Sequence, residues 1–200
     1  MGKFILIAAA LLLLYYFLIR RKSARPTTAS PSIQIAHGMQ LIAATNKQIM
    51  DLSKKTFKLI GIGVILLLIT VILGLKIKIL LFLLPIALFL IGHLFLMSNH
   101  LKYCKDQRLY YRADSQSLQV EALGSQKLVL DLTKDIQRIQ LVESIQSTRG
   151  VNYGYYKIYT PKGTVYIPQL VAENVDNKLF FDFLTQQHSL EREKRIFPII

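Results

Sequence analysis

The sequence predicts a membrane protein of mixed class: three transmembrane helices, then a C-terminal α+β domain in which a bent antiparallel sheet is closed by one C-terminal helix. Three observations predict it. Hydrophobic residues make up 52% of the 200-residue chain and charged residues only 18%, against about 25% charged in soluble domains. The apolar residues gather into three long runs before residue 98. After residue 108 the texture changes to short β-branched and aromatic runs separated by turn residues.

The charge distribution excludes one class of function. Residues 1–108 carry 14 Lys and Arg against two acids, Asp51 and Asp106, whereas residues 109–200 carry 11 basic and 10 acidic residues. A nucleic-acid-binding domain carries its own basic patch. Here the positive charge flanks the apolar runs, where it acts as a topology determinant, so no nucleic-acid partner is expected. The single cysteine, Cys104, rules out an intrachain disulfide.

Residues 1–19 are expected to form an N-terminal anchor. The run 4–19 is 16 uncharged residues, about 24 Å of helix against a hydrocarbon core of about 30 Å; Lys3 and Arg20 can snorkel to make up the difference. Arg20, Arg21 and Lys22 stand where a signal-peptide cleavage site would need small residues. A cleaved signal is the alternative. Residues 20–58 form a linker, Pro- and Ser-rich over 20–32. Over 35–57, Ile35, Met39, Ile42, Ile49 and Leu52 recur at helical spacing. That helix would either lie on the membrane or pack as a solvated helix on the β domain.

Residues 59–97 predict a transmembrane hairpin. Its spans, 59–75 and 79–97, are separated only by Lys76-Ile77-Lys78. Backbone in lipid must satisfy its own hydrogen bonds, so this link forces two antiparallel helices. Residues 20–58 hold eight basic residues and one acid. The positive-inside rule then puts the N-terminus outside, 20–58 inside, the hairpin tip outside and 98–200 inside. Arg20, Arg21, Lys22, Lys54, Lys55, Lys58, Lys102 and Lys105 become candidate contacts to lipid headgroups. His93 lies inside the last span and has no acidic or Arg partner there for a proton relay. Gly61, Gly63, Gly74 and Gly92 allow close helix packing, without a G-x-x-x-G pair.

Residues 98–190 predict the β domain. Six short strands are expected at 108–112, 117–123, 126–132, 136–143, 155–160 and 164–170. Asp114-Ser115-Gln116, Leu123-Gly124-Ser125 and Pro161-Lys162-Gly163 supply turns. A helix over 174–187 carries Val175, Leu179, Phe180, Phe183 and Leu184 as one apolar stripe. The tail 191–200 (EREKRIFPII) would dock on a partner, cover its own domain or fray.

A two-helix membrane hairpin followed by such a meander and one terminal helix resembles the bacterial PH-domain membrane proteins. The residues that carry the resemblance are Leu109-Tyr110-Tyr111-Arg112 before "SLQVEA", then "LDLTKDIQRIQLVE", "YYKIYTPKGTVYIPQL" and "NKLFFDFL". It covers about residues 55–190 and rests on hydrophobicity and turn patterns. It implies a PH-like barrel used for binding or self-assembly at the inner face of a bacterial plasma membrane. Lipid-binding PH domains carry a Lys/Arg cluster near the first strand connection; Asp114-Ser115-Gln116-Ser117 stands there instead, which speaks against phosphoinositide recognition.

No catalytic, metal or cofactor constellation emerges. His37, His93, His100 and His188 lack ligand-spaced partners, and Cys104 stands alone. The Gly150–Gly154 loop lacks the G-K-[ST] of a phosphate loop. A non-enzymatic scaffold is therefore expected, binding a protein partner or its own copies. An anionic-lipid sensor and an accessory subunit of a transport or secretion complex are the alternatives. Arg149, Tyr153, Tyr155 and Tyr156, in a Gly- and Tyr-rich loop, form the candidate interaction surface; the competing reading is a hairpin whose tyrosines pack inward.

Overall fold

The computed structural model describes residues 38–74, 76–122, 127–145 and 153–200. The anchor 1–19, the linker to residue 37, the 123–126 turn and the 146–152 loop lie outside the described residues.

Two helices, each with an apolar window, form an antiparallel pair. Helix α1 is Asn46–Gly74. A 3-10 segment, Lys78–Leu83, leads into α2, Leu84–Asp106, with Pro85 at the start of α2, where its missing N–H costs nothing. Both are long and apolar enough to cross a membrane, and their apolar windows are only 22% and 17% buried. The core helix of a soluble protein would be mostly buried. Ile62, Ile65, Ile69 and Ile72 of α1, with Phe82, Ile86, Leu88 and Phe95 opposite, are exposed, an apolar surface of the kind that marks a membrane contact.

The linker departs from the helical expectation. Met39–Ile42 is strand β1, and the helix begins only at Asn46. The switch lies at Thr45: its Oγ1 accepts from the backbone N–H of Gln48 at 3.2 Å, and Gln48 Oε1 accepts from the Thr45 N–H at 2.8 Å. This reciprocal capping box ends one element and starts the next. From there α1 packs on the β domain, burying Leu52 and Thr56.

The strands are β2 (Gln107–Arg112), β3 (Ser117–Ala122), β4 (Leu128–Asp131), β5 (Arg138–Ser144), β6 (Gly154–Thr160), β7 (Gly163–Pro168) and β8 (Leu190–Arg195). The expected single bent sheet is two four-stranded sheets, ordered β1-β2-β3-β4 and β7-β6-β5-β8. All pairs are antiparallel except β5–β8. Alternating residues of both sheets share one core, with Leu109, Leu118 and Leu130 from the first and Ile139, Ile158 and Ile167 from the second. The 160–163 turn needs Gly163, whose φ of +136° an L side chain rarely adopts.

Two strands fall outside the expected domain boundaries of 98–190. Strand β1 pairs with β2, placing Ile42 opposite Leu109. The helical pair is thus inserted between two neighbouring strands of one sheet, and the domain begins before it. The tail supplies β8, whose run Leu-Glu-Arg-Glu-Lys-Arg forms a charged sheet edge, the usual guard against unwanted pairing. Arg138 pairs with Glu191, and Gln140 donates to Glu193 at 2.8 Å.

Two further short helices precede the tail: α3 (Gln169–Ala172) and α4 (Lys178–Gln187), with a 3-10 turn, Val175–Asn177, between them. Helix α4 buries Phe180, Phe181 and Leu184. Val175 and Leu179, expected in that stripe, are instead exposed: Val175 lies in the 3-10 turn, outside the helix, and α4 turns the Phe180, Phe181 and Leu184 face inward, which leaves Leu179 on the outer face.

Candidate functional site

The residues nominated from sequence separate on folding. Tyr153, Tyr155 and Tyr156 are buried, 2%, 3% and 9% exposed, so they do not form an exposed recognition surface. They sit where β6 begins and face inward. Arg149 lies outside the described residues, as do Arg20, Arg21 and Lys22. Lys54, Lys55 and Lys58 on α1, and Lys102 and Lys105 on α2, are exposed beside the ends of the apolar windows.

Tyr153 and Tyr155, with His93 and His100, build a joint between the helical pair and the β domain, while Tyr156 packs in the sheet core. Leu52, Leu96, Met97, Leu101, Tyr153 and Leu170 form a second core, apart from the sheet core. The Thr56 hydroxyl donates to the Leu52 carbonyl at 2.8 Å, which uses its one proton. The 2.6 Å contact between Thr56 Oγ1 and Tyr153 Oη is therefore one in which Tyr153 donates. His93 Nδ1 lies 3.0 Å from the Phe89 carbonyl, and His100 Nε2 lies 2.7 Å from the Pro198 carbonyl. A carbonyl only accepts, so each of these nitrogens carries the proton. The tail covers its own fold. Asn99 donates to the Ile200 carbonyl at 3.1 Å and accepts from its N–H at 2.8 Å. Phe197 packs on Phe89 and His93, with ring centroids 5.1 and 6.0 Å away, over the gap left by Gly92.

Thr56→Val strands the Tyr153 hydroxyl without an acceptor. We expect a loss of about 1–3 kcal/mol, read as a lower unfolding temperature in detergent. Tyr153→Phe is expected to cost less, because Thr56 keeps Leu52, and the double variant less than the sum. Burial also pushes the Tyr153 phenol up to about 12. Folding therefore favours the neutral phenol. The unfolded chain ionises near pH 10, so this contribution is intact below about pH 10 and drains away as pH rises towards 12. Tyr153→Phe should flatten the loss of stability measured across that window.

A separate groove of about 650 Å³ lies away from the joint. Leu41, Ala43, Ala44, Lys47, Tyr111 and Leu179 line it. Its wall is braced: the Asn174 and Asn177 side-chain amides both donate to the Ala43 carbonyl at 2.9 Å, and Gln40 donates to the Asp176 carbonyl. Leu179, in its lining, is 73% exposed, and Val175, between the lining residues Asn174 and Asp176, is 81% exposed. Among the described residues, no three His, Cys, Asp or Glu side chains converge.

No family model matches the chain, and no curated protein or solved structure matches it either.

Proposed function

We propose that this chain is a membrane-anchored, non-enzymatic scaffold whose PH-like domain binds a protein partner, or a second copy of itself, on the cytoplasmic side of a bacterial plasma membrane. The observation that carries the reading is the 650 Å³ groove with the exposed Leu179 in its lining. Exposed apolar surface beside a groove rimmed by polar residues is of the kind that marks an interaction site. The PH-like assignment draws support from two four-stranded sheets over one core with a single packed helix. The cytoplasmic placement rests on the lysines flanking the apolar windows, with an N-terminal anchor over 1–19 as a third span.

Chemical cross-linking in intact cells, followed by purification in mild detergent, tests the scaffold. A discrete adduct that Leu179→Asp removes is the expected result. Monomer alone from both proteins would count heavily against it. Placement is tested in a Cys104→Ser background with single cysteines at Lys76 or Lys134 and a membrane-impermeant thiol reagent. Labelling at Lys76 alone fits the proposal; labelling at Lys134 alone inverts it.

The anionic-lipid reading rests on a different observation, the exposed Lys54, Lys55, Lys58, Lys102 and Lys105. Each is worth about 1 kcal/mol near an anionic surface.

A further inference from the structure

A second cavity, of about 460 Å³, opens between the end of α2 and the seam where β3 and β4 meet β7. Lys102, Tyr103 and Asp106 of α2 form one wall, and Val120, Leu128 and Tyr166 belong to the β side. This site is distinct from the groove of the scaffold reading and rests only on the membrane placement of that reading.

The groups occur in an informative order. In the proposed membrane placement the last span ends near Met97. Lys102 lies five residues on, about 7 Å along the helix, and Asp106 one turn deeper still, about 6 Å further. The headgroup layer on each face is about 5–8 Å thick, so Lys102 sits at its outer edge and Asp106 about one helical turn beyond, within reach of a headgroup that extends outward. Lys102 and Asp106 are four apart and share a helix face, yet they form no ion pair with each other among the described contacts. Lysine before the acid is the weaker arrangement for such a pair. Asp106 also closes the C-terminal turn of α2, where the helix dipole disfavours an anion and a nearby cation brings relief. Tyr103 and Tyr166, ring centroids 6.3 Å apart, add amphipathic side chains suited to an interface.

We propose that this cavity binds the headgroup of a zwitterionic aminophospholipid from the adjoining leaflet, an ethanolamine phospholipid. Moving away from the bilayer, such a lipid presents acyl chain, phosphate and then primary ammonium. The protein presents apolar helix, Lys102 and then Asp106, in the same order. A phosphate takes the Lys102 ammonium. The ammonium donates to the Asp106 carboxylate, which a choline headgroup, lacking N–H donors, cannot do. An anionic glycerol headgroup carries no cation to offer Asp106.

The test is native mass spectrometry of the full chain in mild detergent, titrated with ethanolamine, choline and glycerol phospholipids of identical acyl chains. The expected result is ethanolamine lipid bound about tenfold better than either competitor, the worth of one charge-assisted hydrogen bond. Asp106→Asn should bring ethanolamine down to the choline level. Lys102→Gln should weaken both zwitterionic lipids together. Both substitutions keep the side chain's shape at a solvent-facing cavity, and Lys54→Gln, on α1 away from it, should leave the ranking unchanged. Equal binding of all three lipids, a preference for the anionic lipid, or an ethanolamine preference that survives Asp106→Asn overturns the proposal.

Discussion

Gly63→Leu is expected to drive the two long helices apart. A Cβ at position 63 would lie 2.7 Å from Leu90 Cβ and 3.1 Å from the Ala87 carbonyl oxygen. Neither neighbour can yield. One is a Cβ fixed to its backbone, the other is backbone, and Ala87 is fully buried. Overpacking of this kind costs about 1–3 kcal/mol even where a core can adjust. Between membrane helices it removes the main attraction, since lipid is as apolar as a side chain and close packing is what holds the pair. The loss should reach the joint, because α1 carries Thr56 to Tyr153 and α2 carries His100 to Pro198. We expect a markedly lower unfolding temperature in detergent and faster proteolysis of the β domain. Gly61→Leu is the matched control: nothing lies within 4 Å of a Cβ there, so it should be close to neutral. Equal behaviour of the two variants would mean that the α1–α2 crossing does not run through Gly63.

The sequence made the helical pair and the middle six strands legible for physical reasons. Uninterrupted apolar runs with a three-residue link allow one arrangement. Alternation such as Leu109–Tyr111 and Leu118–Val120 states which face is buried. The two outer strands were hidden by their composition. Met39–Ile42 is four residues long and its apolar positions also fit a helical period, so only the Thr45–Gln48 capping box marked the boundary. The Glu-Arg-Glu-Lys-Arg stretch of β8 has no alternation because both its faces meet water; its strand character comes from the β5 backbone. The candidate tyrosines misled because tyrosine suits an interface and a buried joint equally well. What decided between them was a hydrogen-bond partner 97 residues away, which no local pattern records. Val175 and Leu179 misled in the opposite sense: Phe180, Phe181, Phe183 and Leu184 allow more than one inward face, and the one used, through Phe180, Phe181 and Leu184, leaves Leu179 outside, while Val175 precedes the helix.

The insertion of the helical pair between β1 and β2 bears on how the scaffold would work. Ile42 and Leu109 are register partners, so the antiparallel strands continue directly into antiparallel helices. A change in helix crossing therefore acts on the first sheet at both strands at once. The Phe197–Ile200 strap ties the second sheet, through β8, to α2. Both sheets are thus held to the same helical pair by separate contacts, which suits a domain that must keep a fixed face towards the membrane.

Phe180→Ala should separate the two halves of the molecule. Phe180 is fully buried, its ring 5.2 Å from Tyr111 of the first sheet and 5.0 Å from Phe181, which in turn contacts Tyr156 of the second. Truncation removes the aromatic link between the sheets and leaves a cavity, at about 3–5 kcal/mol. That approaches the whole stability of a small domain, about 5–15 kcal/mol. The joint core takes Tyr153 and Leu170 from the β domain and is lost with it, but the Gly63 crossing lies between the helices alone and is untouched. Limited proteolysis of membranes should therefore destroy residues 107–195 rapidly in Phe180→Ala while a helical-pair fragment persists at the wild-type level. Loss of both fragments at one rate would show instead that the helices depend on the β domain, as they would if the joint, rather than the Gly63 crossing, held them together.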